Sequence, residues 1–302
     1  MIPPTACSVL RELKKLDFNG CALKFDGLAR LGQVLQLMVG LEDLDLSDIG
    51  LEKNGCEYVA RAFSNLTMLK KLNMRRNALG PMETITLSKA LRNLSALEEL
   101  NLGENAIGSA GAVAMARALE KLTTLSTLNL RDNALEEAGS VILSDSLLSL
   151  TGLKSLNLSQ NSLGAGGAVP LARALSCMTD LQTLDLGNNT FCSEGADLIS
   201  SSLVVLTQLE MLWLNQNSFG CQGAIRVAQS LGGLNRLQTL DLGGNLIGSA
   251  GLKQLSAILM GHTMLEALHL EGEPSAIDWS DLGFHVPTEV TLIPSPRGSI
   301  LI

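Results

Sequence analysis

The sequence predicts an α/β solenoid bent into a horseshoe, with a parallel β-sheet on its concave face and α-helices on its convex face. Three observations lead there: a repeat interval that never varies, a change of apolar period inside each interval, and leucine standing in for aromatics. Segments of the form Leu-x-x-Leu-x-Leu start at Leu13, Leu41, Leu69, Leu97, Leu125, Leu153, Leu181, Leu209, Leu237 and Leu265, always 28 residues apart. Self-similarity at such a period marks stacked supersecondary units. Aromatic residues make up only 3% of the chain.

The strand comes first in each unit. Leu100 and Leu102 lie two apart, as on a short strand with one buried face. The helix follows: Ala112, Met115, Ala116, Leu119 and Leu122 are spaced by three and four, a buried helical stripe. Strands pair at about 4.8 Å, whereas helices pack at about 8–10 Å, and that mismatch predicts the bend. Between strand and helix runs an Asn column, Asn77, Asn105, Asn133, Asn161, Asn189, Asn217 and Asn245. An amide both donates and accepts, so the column is expected to satisfy loop backbone groups. Cys21 and Ile49 break it at the N-terminal end, where a different turn or looser packing is expected.

Before each helix stands a glycine, at Gly27, Gly55, Gly111, Gly139, Gly167, Gly195, Gly223 and Gly251, with Glu83 the departure. A tight left-handed turn is expected there. Small residues recur on the helix, in the columns containing Ala116 and Ala118, and let neighbouring helices approach. The domain organisation is then a lead-in or remnant of a preceding repeat over 1–12, a repeat domain over 13–270, and a C-terminal cap and tail over 271–302. The repeat domain holds nine full units and a partial tenth. The tail, with Pro274, Trp279, Phe284 and Pro287, abandons the pattern.

The unit LxxLxLxxNxLxxxGaxxLaxaLxxLxx resembles the ribonuclease-inhibitor-type leucine-rich repeat. That type occurs in ribonuclease inhibitor, in the sensor regions of NOD-like receptors and in Ran GTPase-activating protein. The resemblance implies a non-enzymatic scaffold that binds a protein on its concave face, either free-standing or as a piece of a larger receptor. It also implies two alternatives. One is a GTPase-activating protein like the Ran-directed family, carried by Arg76, Asn77 and Leu79-Gly80-Pro81. The other is a ribonuclease inhibitor, which an acidic horseshoe would suit.

Composition narrows the field. The net charge is -8 and the pI about 5.0, so a general nucleic-acid surface is not expected. No apolar run reaches the length of a membrane span, and Met1-Ile2-Pro3-Pro4 shows no signal peptide. The six cysteines, Cys7, Cys21, Cys56, Cys177, Cys192 and Cys221, have no CxxC spacing. Reduced thiols in a cytoplasmic protein follow as the expectation, although Cys192 and Cys221 stand at near-equivalent places. The histidines, His262, His269 and His285, form no HExxH or Cys/His cluster. Neither a phosphate loop nor GxSxG is present, so no cofactor, metal or catalytic residue is expected.

Function is therefore sought where the pattern breaks. Alternation puts one column at the centre of the concave face: Asp17, Asp45, Asn73, Asn101, Asn129, Asn157, Asp185, Trp213, Asp241, His269. Trp213 is the anomaly, an indole among polar neighbours, either an interface anchor or packed on Met211. Charge is banded, with Lys70, Lys71, Arg75 and Arg76 between Glu42, Asp43, Asp45 and Asp48 on one side and Glu98, Glu99 and Glu104 on the other. Such bands either neutralise one another across the sheet or form a footprint that selects a partner. The residues put forward for partner binding are Trp213, Met211, Asp185, Asp241, Asn215, Arg75, Arg76, Lys71, Arg131, Glu99 and Glu104. On this reading the N-terminal half binds electrostatically, and the Trp213 region binds by shape and apolar contact.

Overall fold

The computed structural model describes residues 9–51 and 53–272. The tail residues named above and Cys7 lie outside that range. The chain forms two compact units, Met1–Asn161 and Ser162–Ile302.

In the first unit, strands β1 (Lys15–Asp17), β2 (Asp43–Asp45), β3 (Lys71–Asn73), β4 (Glu99–Asn101), β5 (Thr127–Asn129) and β6 (Ser155–Asn157) alternate with helices. The helices are α1 (Phe25–Leu35), α2 (Lys53–Ala62), α3 (Pro81–Leu91), α4 (Gly108–Leu119) and α5 (Glu136–Leu147). Neighbouring strands pair parallel and in step, Leu16 with Leu44, Leu44 with Leu72, and onward to Leu156. The second unit repeats the plan with β7 (Thr183–Asp185), β8 (Met211–Trp213), β9 (Thr239–Asp241) and β10 (Ala267–His269). Its helices are α6 (Gly164–Leu175), α7 (Cys192–Leu203), α8 (Gly220–Leu231) and α9 (Gly248–Leu259). Each unit is therefore an α/β solenoid. Residues 9–12 are helical and lead into β1.

Each strand is three residues long, and its central leucine faces the helices. Leu44, Leu128, Leu184, Leu212 and Leu240 are fully buried, as are the paired Leu119 and Leu122 of one helix and its exit turn. Full burial of such a side chain stabilises by about 1.5–3 kcal/mol, so the leucine columns provide most of the driving force. Strand residues on either side of that leucine point to the opposite face, and there the units differ.

The glycine column does not do what the sequence suggests. Gly111, Gly139, Gly195, Gly223 and Gly251 lie inside the helices, and none has a left-handed backbone. Their role is close approach. A Cβ on Gly223 would sit 2.9 Å from Ala196 Cβ and 3.2 Å from Ser193 Cα of the preceding helix, and one on Gly111 2.8 Å from Ile107 Cγ2. The left-handed residues stand earlier, at the first helical residue: Gly108, Gly164, Gly220 and Gly248, with Glu136 and Cys192 in the same place. Their geometry is held by the next repeat. Gly108 N–H donates to Asn133 O, Glu136 N–H to Asn161 O, and Cys192 N–H to Asn217 O, at 2.8–2.9 Å.

The Asn column satisfies the loop backbone. Asn77 Oδ1 accepts the N–H groups of Ile49 and Leu51, and its Nδ2 donates to Leu46 O and Met74 O. Asn105 does the same for Asn77 and Leu79, and Asn161 for Asn133 and Leu135. In the second unit Asn217 accepts from Asn189 and Asn245 from Asn217. At the N-terminal end Ile49 is buried and its N–H donates to Asn77 Oδ1, while Cys21 is exposed and its N–H closes a turn onto Phe18 O at 2.9 Å.

Among the described residues the cysteines, Cys192 and Cys221 included, are free thiols. Burial, with Glu83 and Glu57 adding to it, pushes the Cys56 thiol up to about 12, so this thiol is inert. No helix among the described residues is long and apolar enough to cross a membrane.

Candidate functional site

The column at the centre of the strand face has a structural duty that alternation alone does not reveal. Each Asp or Asn that ends a strand accepts, through Oδ1, the N–H two residues on. In the first unit these are Asp17 to Asn19, Asp45 to Ser47, Asn73 to Arg75, Asn101 to Gly103, Asn129 to Arg131 and Asn157 to Ser159. In the second they are Asp185 to Gly187 and Asp241 to Gly243, and the whole set spans 2.8–3.2 Å. These turns, in which a short side chain mimics a backbone carbonyl, start the loop that the Asn column then completes. The only sequence signal for them is that the column alternates between Asn and Asp and almost nothing else. Trp213 has no side-chain oxygen to offer Asn215 N–H. The eighth repeat gives up this bond to display an indole.

In the first unit Glu42, Asp43, Glu99 and Glu104 of the charged bands are paired within the chain. Glu42 bridges Lys14 at 2.8 Å and Lys70 at 2.9 Å, Lys15 reaches Asp43 at 3.0 Å, and Lys71 reaches Glu99 at 2.6 Å. Hydrogen bonds from Lys14 and Lys70 hold the Glu42 carboxyl down at about 2, and the bond to Glu99 raises Lys71. Glu104 takes both Arg75 and Arg76. Burial pushes its carboxyl up, but the two guanidinium groups outweigh that and leave it below its usual range. Arg131 is turned onto Gln160, with Nε 3.0 Å from Oε1. Arg76 and Asn77, on which the GTPase-activating alternative relies, are thus engaged with Glu104 and with the loop backbone.

The second unit differs on both counts. Trp213 and Met211 are half-buried on the same face of β8, with Asp185 and Asp241 in register on either side of the indole. Adjacent strands lie about 4.8 Å apart, so a carboxylate flanks Trp213 on each side. Burial raises the Asp241 carboxyl, although Gly243 N–H and His269 pull the other way. The Asn215 amide lies over Gly187, occupying the space where a Cβ there would stand. The lysines and arginines of the described part of this unit are elsewhere: Arg173, Arg226 and Lys253 on helices, and Arg236 in the turn before β9. Glu210, Glu266 and Glu271 add to the negative charge along the strands.

The fold and this arrangement define a class, the leucine-rich-repeat solenoid. Comparison with protein families places the description "Leucine Rich repeat" on residues 94–116, 150–172 and 235–256. Comparison with curated protein sequences finds no match. Among solved structures, an internalin (inlF) from Listeria monocytogenes is similar at a TM-score of 0.46 and 19% identity, over 88% of this chain and 83% of that one. The assignment rests on the repeats of this chain itself.

Proposed function

We propose that this chain is a non-enzymatic scaffold that docks a protein partner on its strand face, anchored by Trp213 in the second unit. One observation carries the reading. Trp213 stands where the other nine strands end in Asp, Asn or His, and it forfeits a turn bond to do so. The turn bond is given up for a half-exposed indole, and aromatic anchors dominate the energetics of protein interfaces. The internally paired charges of the first unit serve stability and register there, so the docking centre moves towards the C-terminal repeats. Candidate residues for contact are Trp213, Met211, Asn215, Asp185 and Asp241.

Two substitutions separate fold from function. Trp213→Asn restores the acceptor used by the other repeats, and the variant is expected to melt cooperatively, close to the wild type. Anchor residues of this kind contribute about 2 kcal/mol or more to binding, roughly a thirtyfold change in affinity. Affinity capture from native lysate should therefore show proteins retained by the wild type and by Arg75→Glu/Arg76→Glu, yet lost by Trp213→Asn. Equal retention by the Trp213 variant would remove this face from the function.

A further inference from the structure

We infer that the occupant of the Trp213 face is an amphipathic α-helix lying across strands β7 to β10, its apolar stripe on Met211 and the indole and basic residues along one flank. This rests on the docking reading above and gives the partner its shape and charge. Three features of the second unit converge on it.

The first is an uncharged row. Thr183, Met211, Thr239 and Ala267 stand in register on neighbouring strands, each half-buried on the face that carries Trp213. In the first unit the same row begins Lys15, Asp43, Lys71 and Glu99, which pair two by two. Methyl and thioether groups take their place beside the indole, and covering such surface is favourable. The neighbouring aspartates do not oppose a cover. Asp241 is already buried, and Asp185 Oδ1 accepts Gly187 N–H.

Spacing comes next, and it selects the occupant. Neighbouring strands lie about 4.8 Å apart, so the four-residue row runs for about 14 Å. A helix rises about 1.5 Å per residue, and apolar residues at i, i+3, i+7 and i+10 on one of its faces cover about 15 Å. An extended chain laid the same way returns to one side only every 6.7 Å or so, and four such residues need about 20 Å. The helix keeps step with the strands, and the extended chain does not.

Charge is the third feature. One residue before each member of the row stand Gln182, Glu210, Gln238 and Glu266. In the first unit residues at this position reach one another across strands, Glu42 meeting Lys14 at 2.8 Å and Lys70 at 2.9 Å. In the second, the Glu210 and Glu266 carboxylates have neither an ion pair nor a hydrogen bond among the described residues. Arg236, in the turn before β9, donates to Gln208 Oε1 instead. The two glutamates lie two strands apart, about 9.6 Å, and helical residues i and i+7 lie about 10.5 Å apart on one side. Lysine or arginine at that interval meets both carboxylates and steers the approach. The same charges disfavour nucleic acid.

The test uses the whole chain. Random octadecapeptides displayed on phage are selected on the immobilised wild type and sorted by whether retention requires Trp213, with Trp213→Asn as the counter-target. Peptides that require Trp213 are expected to carry apolar residues at helical spacing and basic residues seven apart, and to gain helical circular dichroism on binding. A proline at the centre of such a peptide should weaken it roughly tenfold or more by calorimetry. The double variant Glu210→Gln/Glu266→Gln should weaken the parent peptide roughly fivefold, and added salt should narrow the difference. Ala267→Gln raises a longer side chain two strands from Met211 and should weaken the peptide severalfold, as a helix crossing the strands requires. Neither change removes a bond of the fold. Trp213-dependent peptides that bind without helical structure, or that ignore these variants, would overturn the inference and leave the docking face standing. If no selected peptide depended on Trp213, both would fall.

Discussion

At the scale of single residues, the strand-ending column shows how one side-chain atom does two jobs. Its Oδ1 closes a turn, and the choice of Asp or Asn sets the charge. Asp241 is the instructive case, because burial raises its carboxyl above the ordinary 3.8. The folded chain then holds the proton more tightly than the unfolded chain, so stability falls as pH rises through that value and the deficit persists at neutral pH. Asp241→Asn should consequently melt above the wild type at pH 7, with the gap closing below pH 3.8. A gap of constant size across that range, followed by thermal denaturation, would place the effect elsewhere than in the charge. Trp213 was legible in the sequence as an intruder in a polar column. The bond it displaces was not, because the identity of a column residue does not reveal that its side chain accepts from the residue two ahead.

At the scale of elements, helix packing decides what the small residues are for. The sequence places a glycine ahead of each helix and suggests a left-handed turn. The backbone puts that glycine inside the helix, because the turn is taken by residues such as Gly108 and Glu136 and secured by the next repeat. Regular spacing identifies a column without telling which constraint, backbone or neighbour, keeps it small. The same holds for Pro170, which lies within α6 where propensity alone would end a helix; the repeat overrides it. Two opposite outcomes test the packing account. Gly32→Ala would place a Cβ 2.5 Å from Tyr58 O, and an overpacked contact of this sort costs about 1–3 kcal/mol, more than the ~1 kcal/mol that alanine returns in helix propensity. Ser144→Ala should stabilise instead, because the Ser144 hydroxyl is buried without a partner, and removing it is worth about 1 kcal/mol. Chemical denaturation of the two variants would show whether their signs differ.

At the scale of the whole molecule, each repeat leans on its neighbours, and disturbance should travel a short way only. Asn77 connects the second and third repeats through Ile49, Leu51, Leu46 and Met74. Asn77→Ala leaves several of these groups unsatisfied and is expected to cost about 1–3 kcal/mol. Hydrogen exchange should show lost protection around β2 and β3, with the amides of β8 and β9 little changed. Uniform loss along the chain would mean a cooperativity longer than nearest neighbours. The solenoid itself was legible almost completely, since a 28-residue interval without insertion leaves few other ways to bury its leucines. The pairing within the N-terminal bands was not: Glu42, Asp43, Glu99 and Glu104 engage lysines and arginines, where the sequence left neutralisation and a partner footprint both open. Which charges meet depends on rotamers and on the reach of arginine across a strand, and neither is written in a periodic pattern.

The Asp or Asn turn acceptor at eight of the strand ends has one more consequence. Asparagine and aspartate differ there by a single terminal group, and the backbone accepts either. A lineage carrying this chain could rewrite the electrostatic potential of the strand face one repeat at a time by single-codon drift between the two, with the scaffold unaltered. Binding preference and fold are thereby inherited through different atoms of the same residue, which leaves this surface free to follow a changing partner.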